Sequence, residues 1–330
     1  MRIGITYDLK TESPAATGEP DDLQEEFDSP VTIEAIASVF RSLNHKVVKL
    51  GDGRELLQRL LDDPPDFVFN LAEGQGISRS REARVPAVLE MLGIPYSGSD
   101  PLTLAATLDK DCAKRVVASK GVAVPNGTVL YPEDALDTVV HPRHSFPVFV
   151  KPAWEGSSKG IRAHCVVDRP EDLAPVIESL RRDHRQPILI EEFVDGDELT
   201  VGIVGNSPPR VIGVMRVLSQ LREKRFIYDL EVKRDFRRRV RYEAPALLSP
   251  AESSALEHAA LYAYQVLGCR DVARVDFRLR EGVPFFLEIN PLPGLNPESS
   301  DLVILAQGCG WTYGQLIGAI LGAALERQRP

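Results

Sequence analysis

Along the first hundred residues the apolar positions switch repeatedly between two periods. Arg2 to Tyr7 is a short β-rich run, and Pro30 to Leu43 carries helical spacing at Val31, Ile33, Ile36, Val39, Phe40 and Leu43. His45 to Leu50 predicts a second strand, Gly53 to Leu61 a short helix, and Asp66 to Leu71 a third strand. Glu82 to Leu92 predicts a helix closed by Gly93. Strands alternating with helices imply right-handed crossovers and a doubly wound parallel sheet. Ligands gather beyond the carboxyl ends of such strands, at the loops after Tyr7 and Leu71. The loop from Leu9 to Ser29 is long and acidic, with Glu12, Glu19, Asp21, Asp22, Glu25 and Glu26. A loop of that length is either functional or disordered.

Further on, Asp100 and Pro101 open a helix running through Leu104 toward Val117 and stopped by Gly121. Phe146 to Lys151 is a strand leading into a glycine- and serine-rich loop, Glu155 to Gly160. Glu171 to Arg182 reads as helix and Pro187 to Phe193 as strand. Val201 to Val217 reads as a hairpin around Gly205-Asn206. Ser249-Pro250-Ala251-Glu252 is a capping box for a helix ending at Gly268. Thr312 to Gln315 has the same spacing ahead of a last helix, Leu316 to Leu325.

Composition narrows the function. The net charge of −9 argues against nucleic acid and anionic membrane surfaces, despite the basic run Arg234 to Arg241. No apolar stretch of ~18 residues is present, so no membrane span is expected. Four scattered cysteines (Cys112, Cys165, Cys269, Cys309) without a CxxC pair suggest neither zinc nor a disulfide framework. The six histidines (His45, His141, His144, His164, His184 and His258) lack metal spacing. Tyr262 and Tyr264, two apart on one helix, cannot both face a core. A cytoplasmic globular protein is expected.

The densest chemistry lies in Val272 to Asn290, two β-rich runs flanking Arg280 to Val283. If this hairpin turns at Gly282, Asp276 faces Glu288 and Arg274 faces Asn290, with both pairs on one face of the sheet. Facing residues hold their Cβ atoms ~5 Å apart, where like charges repel. Two facing carboxylates require a proton, an arginine or a metal ion. With Asn290 as a further oxygen donor the group suits Mg²⁺ and nucleotide phosphates, though a slip of one residue would spoil the pairing. The loop Lys151 to Gly160 (KPAWEGSSKG) places a lysine before Gly156, Ser157, Ser158 and Gly160, a phosphate-wrapping composition shared with plain turns. Lys110 flanks a helix between Asp109 and Asp111.

FPVFVKPAWEGSSKGI, ILIEEFVDGDELTVGIVGN, ARVDFRL and FLEINPLPGLNPESS occur in that order, with LGIPYSGSDPLTLAATLDKDCAK upstream. From Asp66 onward the chain resembles the D-alanine–D-alanine ligase group of the ATP-grasp superfamily, as a divergent member. The resemblance implies an α/β fold, in part α+β, with three domains. Residues 1–104 would form the N-terminal doubly wound sheet. Residues 105–196 would form the central subdomain with the glycine-rich loop, and 197–330 the subdomain with the metal site and mobile loop.

The resemblance also implies that ATP lies between the last two domains, with Lys110 and Lys151 on its phosphates. Glu191 would meet the adenine amino group, the backbones of Glu192 and Val194 would lie near it, and Glu198 would meet the ribose. Ser157 and Ser158 would close over the γ-phosphate. Asp276, Glu288 and Asn290 would hold two Mg²⁺ ions, with Mn²⁺ able to substitute. The segment Ile227 to Phe236 would be the mobile loop and bring Lys233 to the γ-phosphate. Arg274 and the Gly294 N–H would steady an oxyanion, and Ser299 would bind the acceptor's carboxylate. The implied reaction passes through an acyl phosphate to an amide, releasing ADP and phosphate. A homodimer acting on small molecules is implied too.

Three departures from the family pattern fall on the acyl-donor side or the lid. TESPAATGEPDDLQ lacks the family's EHxVS-like segment, whose glutamate helps hold the donor amine. Asn70 to Pro86 replaces an HGxxGEDG loop, placing Glu73 near the histidine position. Arg234 stands where the mobile loop carries a tyrosine, so the family's three-residue latch is not expected. Arg79, Arg81, Arg84 and Arg234 are candidates for an anionic donor, or else surface arginines. The expectation is a ligase with an altered donor pocket. The alternatives are a true D-alanine–D-alanine ligase and a non-catalytic ATP-binding regulator.

Overall fold

The computed structural model describes residues 1–11, 19–136, 145–221 and 225–328; Glu12, His141 and His144 lie outside them. Strands β1 (Arg2–Thr6), β2 (Lys46–Gly51) and β3 (Phe67–Asn70) form a parallel sheet in the order β2-β1-β3. Helices α1 (Pro30–Ser42) and α2 (Gly53–Asp62) make the crossovers, and α3 (Arg84–Leu92) follows β3. Ser29 caps α1 by accepting from the Thr32 N–H, with Pro30 in the first turn. Gly93 ends α3 in the left-handed region, where it needs no side chain.

The single helix expected from Asp100 toward Val117 is two helices, α4 (Pro101–Leu108) and α5 (Lys110–Ala118). Between them Asp109 takes an extended conformation and its carboxylate accepts from the Cys112 N–H. A short acidic side chain competes well for such free N–H groups, and here it breaks one helix to cap the next. The break sets Lys110 at the start of α5, from which it reaches Glu288.

Strands β4 (Gly127–Leu130), β5 (Val148–Pro152), β6 (Val166–Val167) and β7 (Ile188–Glu192) form an antiparallel sheet in the order β4-β7-β5-β6. Helix α6 (Leu173–His184) covers it, with Leu173 and Ile177 buried against Val148, Val150, Ile188 and Ile190. The third sheet contains β8 (Asp197–Val204), β9 (Arg210–Ser219), β10 (Val240–Glu243), β11 (Val272–Arg280) and β12 (Val283–Asn290), in the order β10-β9-β8-β11-β12. Helix α9 (Pro250–Val266) opens with the expected capping box at Ser249 and Glu252. It packs on this sheet together with α5. Tyr264 is buried there and Tyr262 is exposed, as their spacing requires.

Between β9 and β10 the chain forms the short helices α7 (Leu230–Arg234) and α8 (Phe236–Arg239). Two helices close the chain, α10 (Asp301–Gly308) and the capped α11 (Tyr313–Arg327). They join the parallel sheet to the large one in a single core that includes Phe40, Phe69, Met215 and Ile317. Among the described residues no helix is long and apolar enough to cross a membrane.

The hairpin β11–β12 has the expected pairs, Asp276 with Glu288 and Arg274 with Asn290, but arrives at them differently. Its turn is the two-residue Glu281-Gly282, both at positive φ, with Arg280 opposite Val283. Continued unbroken, that register would set Asp276 against Leu287 and send Glu288 toward the core. One extra residue, Leu287, bulges out between the Phe277–Phe286 and Asp276–Glu288 pairs. Phe286 and Ile289 therefore both face the core, while Glu288 and Asn290 join Asp276 and Arg274 on the opposite face. Deleting Leu287 should abolish binding of MgATP measured by calorimetry, whereas Leu287→Ala, which keeps the extra residue, should weaken it by less than about tenfold.

Candidate active site

The cleft between the two antiparallel sheets is floored by charge. Lys151 from β5 and Glu191 from β7 are both buried and meet at 2.7 Å. Lys114 takes the other oxygen of Glu191. Burial pushes the Lys114 ammonium down to about 8, even with Glu191 opposing. Burial also raises Glu191, but Lys114 and Lys151 outweigh it and hold the carboxylate below its ordinary range. Lys114 was not among the residues anticipated; its position one helical turn beyond Lys110 was the available signal. Both oxygens of Glu191, the residue expected at the adenine amino group, meet lysines in this structure.

Glu192, Val194 and Glu198 line the same cleft. Glu198 pairs with Arg278 at 2.8 Å, and burial raises it against the pull of that arginine. Glu192 lies 3.4 Å from Arg280.

The bulged hairpin supplies the next wall. Arg274 donates to both oxygens of Asp276 at 2.8 to 3.1 Å and lies 3.7 Å from Glu288. Lys110 reaches Glu288 at 3.1 Å, and Thr200 donates to Asp276 at 2.8 Å. The like-charge pair is thus neutralised by an arginine and a lysine. Burial raises Asp276 in spite of Arg274. Burial also acts on Glu288, but Lys110, Arg274, Lys151 and Lys233 together hold it well below the carboxylate range. Among the described residues no three His, Cys, Asp or Glu side chains gather as a metal site. Two carboxylates with the Asn290 amide, all hard oxygen donors, fit Mg²⁺, which binds through one or two carboxylates and substrate phosphates.

A second cavity of about 240 Å³ opens beside this wall. It brings together Ser157, Lys233, Arg274, Asn290, Gly294, Ser299 and Glu73. Glu25, Glu26 and Asp28 from the acidic loop also line it. Lys233 borders both cavities, its ammonium 4.9 Å from the Tyr228 ring centre. Ser157 and Ser158 sit at φ 50° and 59° in the glycine loop. The Ser158 hydroxyl donates to the Tyr228 carbonyl at 3.1 Å, and the Leu230 N–H donates to Ile161, so the glycine loop and the segment Ile227 to Phe236 are in contact.

The described part of the acidic loop is a latch for that contact. Arg234 bonds Asp21 at 2.6 Å and Glu25 at 2.8 Å. Arg162 joins Asp21 at 2.6 Å to Glu231 at 3.0 Å, and Asp22 accepts from the Gly160 N–H at 2.8 Å. Below it Arg81, Lys159, Glu26 and Glu155 form a buried network with contacts of 2.7 to 3.2 Å. Arg234, which stands where the family carries a tyrosine, thus bonds a carboxylate of the acidic loop, Glu25. Of the four arginines considered for the donor, Arg234 and Arg81 pair with carboxylates, Arg79 lies 3.5 Å from Asp109, and Arg84 donates to the Gln75 carbonyl.

The parallel sheet, the two antiparallel sheets and the charged cleft between the latter define an ATP-grasp protein. A family model described as "D-ala D-ala ligase C-terminus" matches residues 116–322. A D-alanine–D-alanine ligase of Aquifex aeolicus is 34% identical over 293 residues, covering 88% of this chain and 93% of its own. An uncharacterised protein of Sinorhizobium fredii is 35% identical over 307 residues, 89% of this chain and 87% of its own. In fold, the chain is similar to a Bacillus anthracis D-alanine–D-alanine ligase solved with ATP (TM-score 0.74, 22% identity, 99% and 98% of the chains covered). It is also similar to the VanG D-Ala:D-Ser ligase of Enterococcus faecalis (TM-score 0.73, 20% identity, 98% and 99% covered). The chain belongs to the D-alanine–D-alanine ligase family of ATP-grasp enzymes, and is an ATP-dependent ligase.

The latch pairs are part-exposed, so each is worth about 1 kcal/mol or less and weakens with salt. Raising ionic strength from about 0.05 to 0.5 M should increase the KM for ATP of the wild type more than that of Arg234→Ala, which has lost the latch already. A pH effect follows from two buried acids. Burial, with Asp52 adding to it, raises Asp8 to about 7; burial and Asp8 raise Asp28 to about 7. Both hold protons more tightly folded than unfolded, so stability falls as pH rises from about 4 through 7. Asp28→Asn should flatten that part of the curve of melting temperature against pH.

Proposed function

We propose that the enzyme joins a carboxylate donor to the amine of an amino acid through an acyl phosphate, releasing ADP and phosphate. The observation that carries this reading is that Lys110, Lys151, Lys233 and Arg274 all act on one cleft carboxylate, Glu288. Three ammonium groups gathered around that carboxylate suit a transferring phosphoryl group, where catalysis is mainly positioning and electrostatics. Asp276, Glu288 and Asn290 would hold Mg²⁺, with Mn²⁺ able to substitute, and the metal would supply charge neutralisation on the phosphates. Ser157 and Ser158 would donate from the closed glycine loop. Val194 and Glu192 would border the base, and Glu198 the ribose. Across the wall, Arg274 and the Gly294 N–H would face the developing oxyanion, and Ser299 the acceptor carboxylate.

The second cavity is lined by Glu25, Glu26, Asp28 and Glu73, an acid-rich wall suited to a donor that bears an ammonium group. A rebuilt donor pocket is the first reading. The second, true D-alanine–D-alanine ligation, is supported by the relatives and by Glu25, which restores a lid carboxylate. A homodimer is part of the proposal, supported by Met91 on α3 and Leu102 on α4, each 79% exposed.

The test is product analysis with ATP and Mg²⁺, first with D-alanine alone and then across pairs of amino acids. The account expects ADP and phosphate matched by an amide of the summed mass; AMP and pyrophosphate would contradict it. D-alanyl-D-alanine as the best product would establish the second reading. Arg274→Ala should bind ATP within about threefold of wild type while losing at least about 100-fold in product, as removal of an oxyanion donor does.

A further inference from the structure

Asp301 was not anticipated from the sequence, yet it borders both cavities. It stands in the first turn of α10 and is 9% exposed. One oxygen, Oδ1, accepts from the Tyr228 hydroxyl at 2.9 Å, and the other, Oδ2, lies 3.5 Å from Nη1 of Arg274. Tyr228 in turn meets the Tyr242 hydroxyl, takes the Ser158 hydroxyl on its carbonyl, and lies under the Lys233 ammonium. A single carboxylate therefore connects the oxyanion arginine to the segment that closes over ATP.

We propose that Asp301 is a positioning residue for the bond-forming half of the reaction, holding Arg274 in place and making that placement depend on lid closure through Tyr228. The inference rests on the ligase reading above. Its physical basis is the competition for Asp276. That carboxylate and Glu288 are the two that would serve Mg²⁺, so neither is reserved for Arg274. Asp301 is the carboxylate on Arg274 that stands outside the metal group. A flexible guanidinium held from one side only would leave the acyl carbon unguarded, and an acyl phosphate without a fixed oxyanion partner loses out to water.

The experiment measures ADP and amide product in the same reactions, for the donor–acceptor pair that the wild type uses best. Asp301→Asn keeps the shape and removes the charge; Tyr228→Phe removes one hydroxyl and leaves the aromatic contact with Lys233. Asp301→Asn should keep ADP release within about threefold and an unchanged KM for ATP, while amide formed per ADP falls about tenfold. Tyr228→Phe should move the same ratio in the same direction by less, and Asp301→Glu should restore part of it. Parallel loss of ADP and amide in both variants would overturn the proposal, and so would a ratio that stays at the wild-type value. A wild type that releases ADP without any amide would overturn the ligase reading, and this proposal with it.

Discussion

Asp276 and Glu288 face each other across a hairpin, and two carboxylates so placed repel unless positive charge is brought to them. Much of the site's geometry answers that constraint. The Leu287 bulge puts the second carboxylate on the right face. The break at Asp109 starts α5 where Lys110 reaches it, and Arg274 from the same strand spans both acids. The same demand for cations makes the site receptive to a metal–phosphate ligand, since the groups that neutralise the acids are those suited to a transferring phosphoryl group. A structural solution and a catalytic one coincide in these few side chains.

Charge organises the lid as well. The chain is acidic overall, and the acidic loop ahead of α1 meets Arg162, just past the glycine loop, and Arg234 of α7. Part-exposed ion pairs of this kind are weak pair by pair, so this contact can open at small cost. Beneath it, Arg81 and Lys159 with Glu26 and Glu155 are buried, where loss of one partner leaves an uncompensated charge. The molecule thus has a firm ionic base and a loose ionic latch.

Much of this was legible in the chain. The alternation over the first hundred residues fixed the parallel sheet, and the capping boxes marked α9 and α11. The hairpin's acid pair could be read from spacing and a single assumption about the turn. That assumption was off, since the turn is Glu281-Gly282, and the Leu287 bulge supplied the compensating residue; no local pattern signals a bulge between Phe286 and Glu288. Lys114 and Asp301 escaped for the related reason that their meaning is tertiary: each is one ordinary charge until the fold sets Glu191 or Arg274 beside it. The acidic loop was recognisable as unusual, but the partners of Asp21 and Glu25 lie more than 130 residues away.

The central claim, an acyl phosphate formed from the donor carboxylate, is tested most directly by isotope transfer. A donor labelled with ¹⁸O in its carboxylate is turned over with ATP and acceptor, and the released phosphate is examined by mass spectrometry. The account predicts one labelled oxygen in each phosphate formed with product. Unlabelled phosphate, with all of the label retained in the donor and amide, would contradict it.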